Sequence, residues 1–152
     1  MKIHFRLAWV KAGKVQLRSF KAASAHELFY EYLTKISKFT SCEVSGFDLS
    51  CFPENTKGKL WICDRGKDAK VLSSEDLAVA LSRTRDSGVR ELNVVIGSAD
   101  GFNAKELALL KPDLKWSFGP LTLPHEIAAI VAGEQIYRAY SILNHLPYHL
   151  GH

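Results

Sequence analysis

Three short segments carry residue types able to bind or act on a small ligand: DRGK at 64–67, GSADG at 97–101 and FGPLTLP at 118–124. Glycine lets a backbone approach a bound group closely or take φ > 0. The two glycines of 97–101 serve that purpose or make a plain turn, and spacing alone favours the turn. The pattern is neither G-x-G-x-x-G nor a P-loop, so dinucleotide and triphosphate sites lack support. In 118–124, Gly119-Pro120 and Pro124 flank the apolar Leu121, Thr122 and Leu123. Two prolines and a glycine make a rigid, shaped loop. It is either a structural crossover or a clasp whose free N–H and C=O groups meet an adenine edge.

The tail holds His145, His149 and His152. Zinc is disfavoured, because Pro147 interrupts the run and no cysteine or carboxylate lies nearby in sequence to complete a site. No G-x-S-x-G elbow and no Cys/His nucleophile pattern is present. Paired carboxylates for glycoside chemistry cannot be assigned from spacing. Arg138 sits amid Tyr137 and Tyr140. It is read either as an ion-pair partner, with Glu134 four residues earlier, or as a contact to a phosphate or a base; both readings stay open.

These segments need a scaffold, and the hydrophobic periodicity describes one. Residues 2–10 alternate as a strand. Ser24 to Glu27 match a capping box before Leu28, Phe29, Tyr32, Leu33 and Ile36, predicting a helix over 25–38. A strand is expected at 42–47, a loop with Pro53, Asn55 and Gly58 over 48–58, and a strand at 59–64 ending in a carboxylate. Ser73 caps a helix to about Asp86, with Leu77, Ala80 and Leu81 inward and Gly88 as its stop. A buried strand follows at 91–97, and a short helix from Asn103 to about Leu110. Residues 116–123 read as a strand or extended loop, and a last helix spans about 125–143. Strands alternating with helices predict an α/β fold with a largely parallel sheet. In such sheets ligands bind beyond the carboxyl ends of the strands, where the three segments lie.

The bulk numbers agree. A chain of 152 residues, 47% hydrophobic and 24% charged, suits one globular domain, 1–152, around one core. The longest apolar run, Ile127 to Ala132, is far short of a bilayer span, and the N-terminus reads as a strand, not a leader. Three scattered cysteines, Cys42, Cys51 and Cys63, fit a reducing cytoplasm better than a disulfide framework. Residues 1–70 hold 13 Lys/Arg against 7 Asp/Glu, while the rest hold 7 against 9. That asymmetry is a solvated basic face or a surface for a polyanion.

Taken together, LWICDRGK at 60–67, VVIGSADG at 94–101, LTLPH at 121–125, EQIYRAY at 134–140 and PYH at 147–149 resemble the RlmH family of SPOUT RNA methyltransferases. The order and spacing match from about residue 60 to 149; the first 47 residues fit only as strand–helix–strand. The resemblance implies a SPOUT (alpha/beta knot) fold whose C-terminal part threads a deep trefoil knot, an exception to the usual unknotted chain. It implies S-adenosylmethionine (SAM) as methyl donor, held by Cys63, Gly97, Phe118, Gly119, Pro120, Leu121, Thr122 and Leu123. It implies a homodimer, with the active site shared between subunits, and no metal or membrane. The substrate it implies is pseudouridine in 23S ribosomal RNA of the large subunit, methylated at N3 on ribosomes in the cytoplasm. His149 is then the candidate general base or base-orienting group, beside Tyr148, and Arg138 the contact to a phosphate or the uracil carbonyls.

Four departures from the family pattern stand out. Ser98 replaces a usual second glycine, and Gly119 a usual serine. The tail has no basic residue after Tyr148-His149, and residues 48–58 are short and Pro-rich where the family has a helix. The alternatives are a SPOUT enzyme with another RNA target and a ribosome-binding module that has lost turnover.

Overall fold

The computed structural model describes residues 1–11, 13–49, 58–97 and 101–151. The alternation of Ile3, Phe5 and Leu7 with polar neighbours forms β1, Lys2–Leu7, and buries all three apolar side chains. The strand ends earlier than its sequence pattern. The chain turns after Leu7, with the Val10 N–H donating to the Leu7 carbonyl (3.1 Å) and the Trp9 indole N–H to the Ser19 carbonyl (2.9 Å). The other strands are β2 (Cys42–Gly46), β3 (Lys59–Cys63), β4 (Lys70–Val71), β5 (Glu91–Ile96) and β6 (Leu114–Ser117). All pair in parallel, in the order β2-β1-β5-β3-β6-β4. The expected α/β architecture with a parallel sheet is therefore present.

Parallel sheets need both faces covered. On one face lie α1 (Ala23–Ile36), α2 (Ser74–Asp86) and α4 (His125–Leu143), with α4 packed against both of the others. Their core joins Phe5, Phe29, Leu77, Leu81, Val94, Trp116 and Ile136. Phe5 and Phe29 meet edge to face at 5.6 Å between ring centroids. On the other face, α3 (Ala104–Leu110) brings Leu107 and Leu110 over Leu60, Ile62 and Val95. Among the described residues no helix is long and apolar enough to cross a membrane.

Two helix starts are as the sequence predicts. The Ser73 hydroxyl accepts from the Asp76 N–H, and Asn103 and Glu106 form a reciprocal capping box. The third differs. Ser24 lies inside α1, whose N-cap is Ala22 with no side-chain cap. The buried Glu126 carboxylate from α4 accepts instead from the N–H groups of Lys21 (3.1 Å) and Ala22 (3.2 Å). A carboxylate at the positive end of the helix complements its dipole. Within α2, Ala78 rather than Ala80 is fully buried beside Leu77 and Leu81, and Gly88 follows as the stop with φ +85°. Residues 116–123 divide into the end of β6 and an irregular loop. The two-residue β4 carries no apolar periodicity that announces it. The loop expected over 48–58 lies mostly outside the described residues, as does Cys51.

Toward the β2 edge the second face is polar. His4 lies between the Glu91 carboxylate (3.0 Å) and the Ser45 hydroxyl (2.7 Å), and the fully buried Asn93 accepts from Arg6 Nε at 3.0 Å. Desolvation and the nearby Arg6 charge lower the His4 pKa from its ordinary 6.5, against the opposing pull of Glu91. The unfolded chain therefore takes up this proton at higher pH than the folded one. The resulting stability is complete above pH 6.5 and declines as pH falls toward the folded value. Urea unfolding of the protein at steps from pH 7.5 to 5 should show this loss, and His4→Gln should flatten it. Equal slopes for both proteins would exclude His4 as its source.

Candidate active site

The ends of β3, β5 and β6 open into one cleft. Its lining includes Cys63, Asp64, Arg65, Gly97, Gly101, Trp116, Phe118, Leu121, Thr122, Leu123 and, from the first turn of α4, His125. It is open to solvent on one side. Six of the eight residues carried by the resemblance line it; Gly119 and Pro120 belong to the same loop but do not. Asp64 and Arg65 come from the DRGK segment and His125 from the LTLPH motif, none of them assigned to the cofactor by the resemblance, while Trp116 gave no signal without the sheet order.

The cleft is mostly apolar with a few polar groups. Burial and the neighbouring Asp64 push the Cys63 thiol well above its ordinary value, so it is a protonated, inert wall and not a nucleophile. Trp116 and Phe118 meet edge to face at 4.8 Å. Arg65 donates to the Thr122 hydroxyl at 2.5 Å and ties the β3 loop to 118–124 across the rim. Within that loop the N–H groups of Leu121, Thr122 and Leu123 have no acceptor among the described residues. They are free to meet a ligand edge.

Two glycines matter here for different reasons. Gly119 takes φ +102°, a conformation that strains any side chain, and its N–H donates to the Ser117 hydroxyl (3.1 Å). This backbone suits a glycine at the position where the resemblance led to the expectation of a serine. A Cβ on Gly97 would meet Gly101 and the Phe102 ring at 3.5 Å, ordinary contact. The protein's own packing thus does not require glycine at 97. Residues 98–100, including Ser98, lie outside the described residues.

Arg138, Tyr148 and His149 gather elsewhere. After α4 the chain reverses through a Schellman turn, with the Leu146 N–H on Ser141 O (2.9 Å), the His145 N–H on Ile142 O (3.1 Å) and His145 at φ +56°. The turn folds the tail back onto α4. Glu134 is the hub: one carboxylate oxygen accepts from Arg138 Nε (2.9 Å), Arg138 Nη2 (2.6 Å) and the Tyr148 hydroxyl (3.0 Å). The Arg138 guanidinium lies 4.8 Å from the Tyr148 ring centroid, a cation–π contact. The ion-pair reading of Arg138 thus describes the chain as it stands. Desolvation, then Glu134, push the Tyr148 phenol well above its usual range, so it acts as a donor and not as a base.

His149 uses both ring nitrogens. Arg138 Nη1 lies 3.1 Å from Nδ1, and Glu75 lies 2.7 Å from Nε2. A guanidinium only donates, so Nδ1 accepts and the proton sits on Nε2, facing the carboxylate. Glu75 and Glu134 form the part of this cluster that sequence reading left out or only touched. Among the described residues no group of three or more His, Cys, Asp or Glu is placed to hold a metal ion. The cleft and the tail cluster flank α4 at His125 and Arg138. Thirteen residues of helix separate those positions, about 20 Å.

The chain has relatives among known proteins. A family model described as Predicted SPOUT methyltransferase covers residues 52–149. The chain belongs to that family. It is 36% identical to Ribosomal RNA large subunit methyltransferase H of Koribacter versatilis, over 97% of this chain and 98% of the relative. The protein of the same name from Psychrobacter sp. is 45% identical over 68% of this chain and 60% of its own length. That from Erythrobacter litoralis is 49% identical over 57% of this chain and 58% of its own. SPOUT methyltransferases use SAM as cofactor, and the free loop N–H groups, apolar walls and uncrowded Gly97 of the cleft fit such a ligand.

Gly97→Ala should keep the melting temperature within a few degrees yet weaken SAM binding at least tenfold by calorimetry. A variant that binds SAM as well as the parent would show that the ligand does not approach at Gly97.

Proposed function

We propose that this SPOUT methyltransferase transfers the methyl group of SAM to N3 of a pseudouridine in 23S ribosomal RNA, acting as a homodimer on ribosomes in the cytoplasm. The observation that carries the reading is the separation of the two clusters along α4. One chain offers a ligand cleft at one end of the helix and an Arg–Tyr–His cluster at the other. A second copy that lays its tail against the first chain's cleft would complete the site. Exposed Ile127 and half-buried Ile130 and Val131 on α4 supply apolar surface for that contact. The loop 118–124 is the segment we assign to the knot.

Within the shared site each group has a task. The loop N–H groups of 121–123, with Trp116 and Phe118 beside them, would hold the adenosyl part, and Asp64 would offer a carboxylate to hydroxyl groups. Bound SAM supplies an electrophilic methyl on a positively charged sulfur, so the protein's contribution is mainly alignment. Arg138 swings one donor from His149 to a uracil carbonyl or phosphate and frees Nδ1. That nitrogen would take the N3 proton, leaving the N–H electron pair on N3 for the methyl group that SAM would supply. Tyr148, held protonated, packs and donates.

The names of the curated relatives support ribosomal RNA as substrate. So does the loop after β1, where Lys11, Lys14, Arg18 and Lys21 are exposed and no acidic residue occurs between Leu7 and Glu27. Cations so placed suit phosphates and make binding salt-dependent.

Labelled SAM incubated with ribosomes lacking this modification should place label at N3 of a large-subunit pseudouridine, with free tRNA unlabelled. His149→Ala should lower turnover about 100-fold or more while SAM affinity stays within twofold. Tight SAM binding with no label on ribosomes, or label on tRNA alone, would overturn the proposed substrate.

A further inference from the structure

The tail histidine has a partner that the transfer chemistry itself does not name. Glu75 sits in the first turn of α2, 74 positions from His149, and its carboxylate lies 2.7 Å from Nε2. Its place is fixed by the packing of α2 on α4. Leu77 and Leu81 are buried beneath it, Ser73 caps the helix, and the adjacent Ser74 hydroxyl donates to Gln135 of α4 at 2.7 Å. Gln135 in turn donates to the Glu134 hub at 2.7 Å. A continuous set of hydrogen bonds thus sets Glu75, Glu134 and Arg138 relative to one another before any substrate arrives.

We infer that Glu75 is a positioning residue for the methyl transfer: it fixes His149 in the Nε2–H tautomer and orients Nδ1 toward the substrate. The inference rests on the base role proposed for His149. A neutral imidazole has one donor and one acceptor nitrogen, and the bond at one decides the state of the other. Glu75 as a carboxylate only accepts, so it selects the tautomer in which Nδ1 carries the lone pair. When Arg138 turns to the substrate, the bond to Glu75 remains as the tether of the ring. Once Nδ1 has taken the N3 proton, the imidazolium faces a carboxylate, which stabilises the charge formed in the step. Triads in hydrolases use a carboxylate in the same relation to histidine, and its loss there disturbs tautomer more than fold.

The pair stays partly open to water, with 63% of the Glu75 side chain and 29% of His149 exposed. Its contribution to stability is therefore small, and the effect of removing it should appear in turnover. Glu75→Gln keeps size and hydrogen-bonding capacity but adds a donor, so once Arg138 leaves Nδ1, Nε2 is able to become the acceptor and Nδ1 the donor. Glu75→Asp keeps the charge and shortens the reach.

The test uses the full chain with ribosomes as substrate, and nitrogen NMR of the imidazole in the free protein. With Arg138 also changed to Ala, so that residue 75 alone contacts the ring, Glu75→Gln should cost the Nε2–H tautomer of His149 its dominance; with Arg138 in place, Glu75→Gln should lower kcat roughly 10- to 100-fold. KM for ribosomes and the SAM dissociation constant should stay within twofold. Glu75→Asp should recover part of both the tautomer and the rate. An unchanged tautomer in Glu75→Gln with Arg138 changed to Ala overturns the inference whatever the rate. A changed tautomer with full turnover in both Glu75→Gln and His149→Ala removes the base role of His149, and this inference with it.

Discussion

Every pairing in the sheet is parallel, and that constraint orders the rest of the molecule. Parallel neighbours cannot be joined by a tight turn, so the chain must cross over between them and leave helices on the faces. β5 bears most of the consequence. Its residues Leu92 to Ile96 are buried, and it hydrogen-bonds to β1 on one side and β3 on the other. Because all six strands point the same way, their carboxyl ends gather the loops after β3, β5 and β6 at one place. The cleft follows from strand direction before any ligand is considered.

α4 then divides the chemistry. Its first turn faces the cleft through His125, and Glu126 completes the start of α1. Its later turns carry Glu134 and Arg138, and the reversal at His145 returns Tyr148 and His149 to them. One helix therefore carries parts of two side-chain clusters, and its length keeps them apart within a chain. The same rigidity makes the tail cluster a preformed unit. Glu134 holds Arg138 and Tyr148 through one oxygen, so displacing either requires another partner for a nearly buried carboxylate.

What could be read from the sequence was local. Ser73 and Asn103 sit three residues before the N–H groups they cap, so their roles follow from spacing. The alternation of β1 and the apolar run of β5 follow from burial on one face or two. What could not be read came from distant chain. Glu126 reaches a helix start more than 100 positions away, and β4 exists only because β6 pairs with it. At the site, the family motifs located six of the cleft residues and the tail triplet. Gly119 looked like a departure until its positive φ gave the glycine a reason. Glu75 carried no motif at all, because its partner lies on the far side of the sheet's crossovers.

The central position of β5 has a consequence for the order in which the chain acquires structure. β1 and β2 can meet after 46 residues of chain, but nothing joins them to β3 until residues 91–96 enter between them. Pairings of such long sequence separation form slowly and leave apolar edges uncovered in the meantime. A chain emerging from its own ribosome thus holds one pair of strands, with β3 and β4 unpaired, until β5 is made. The helix that joins cleft to tail follows β6, so the cleft and the tail cluster come together only after every strand of the sheet has been made.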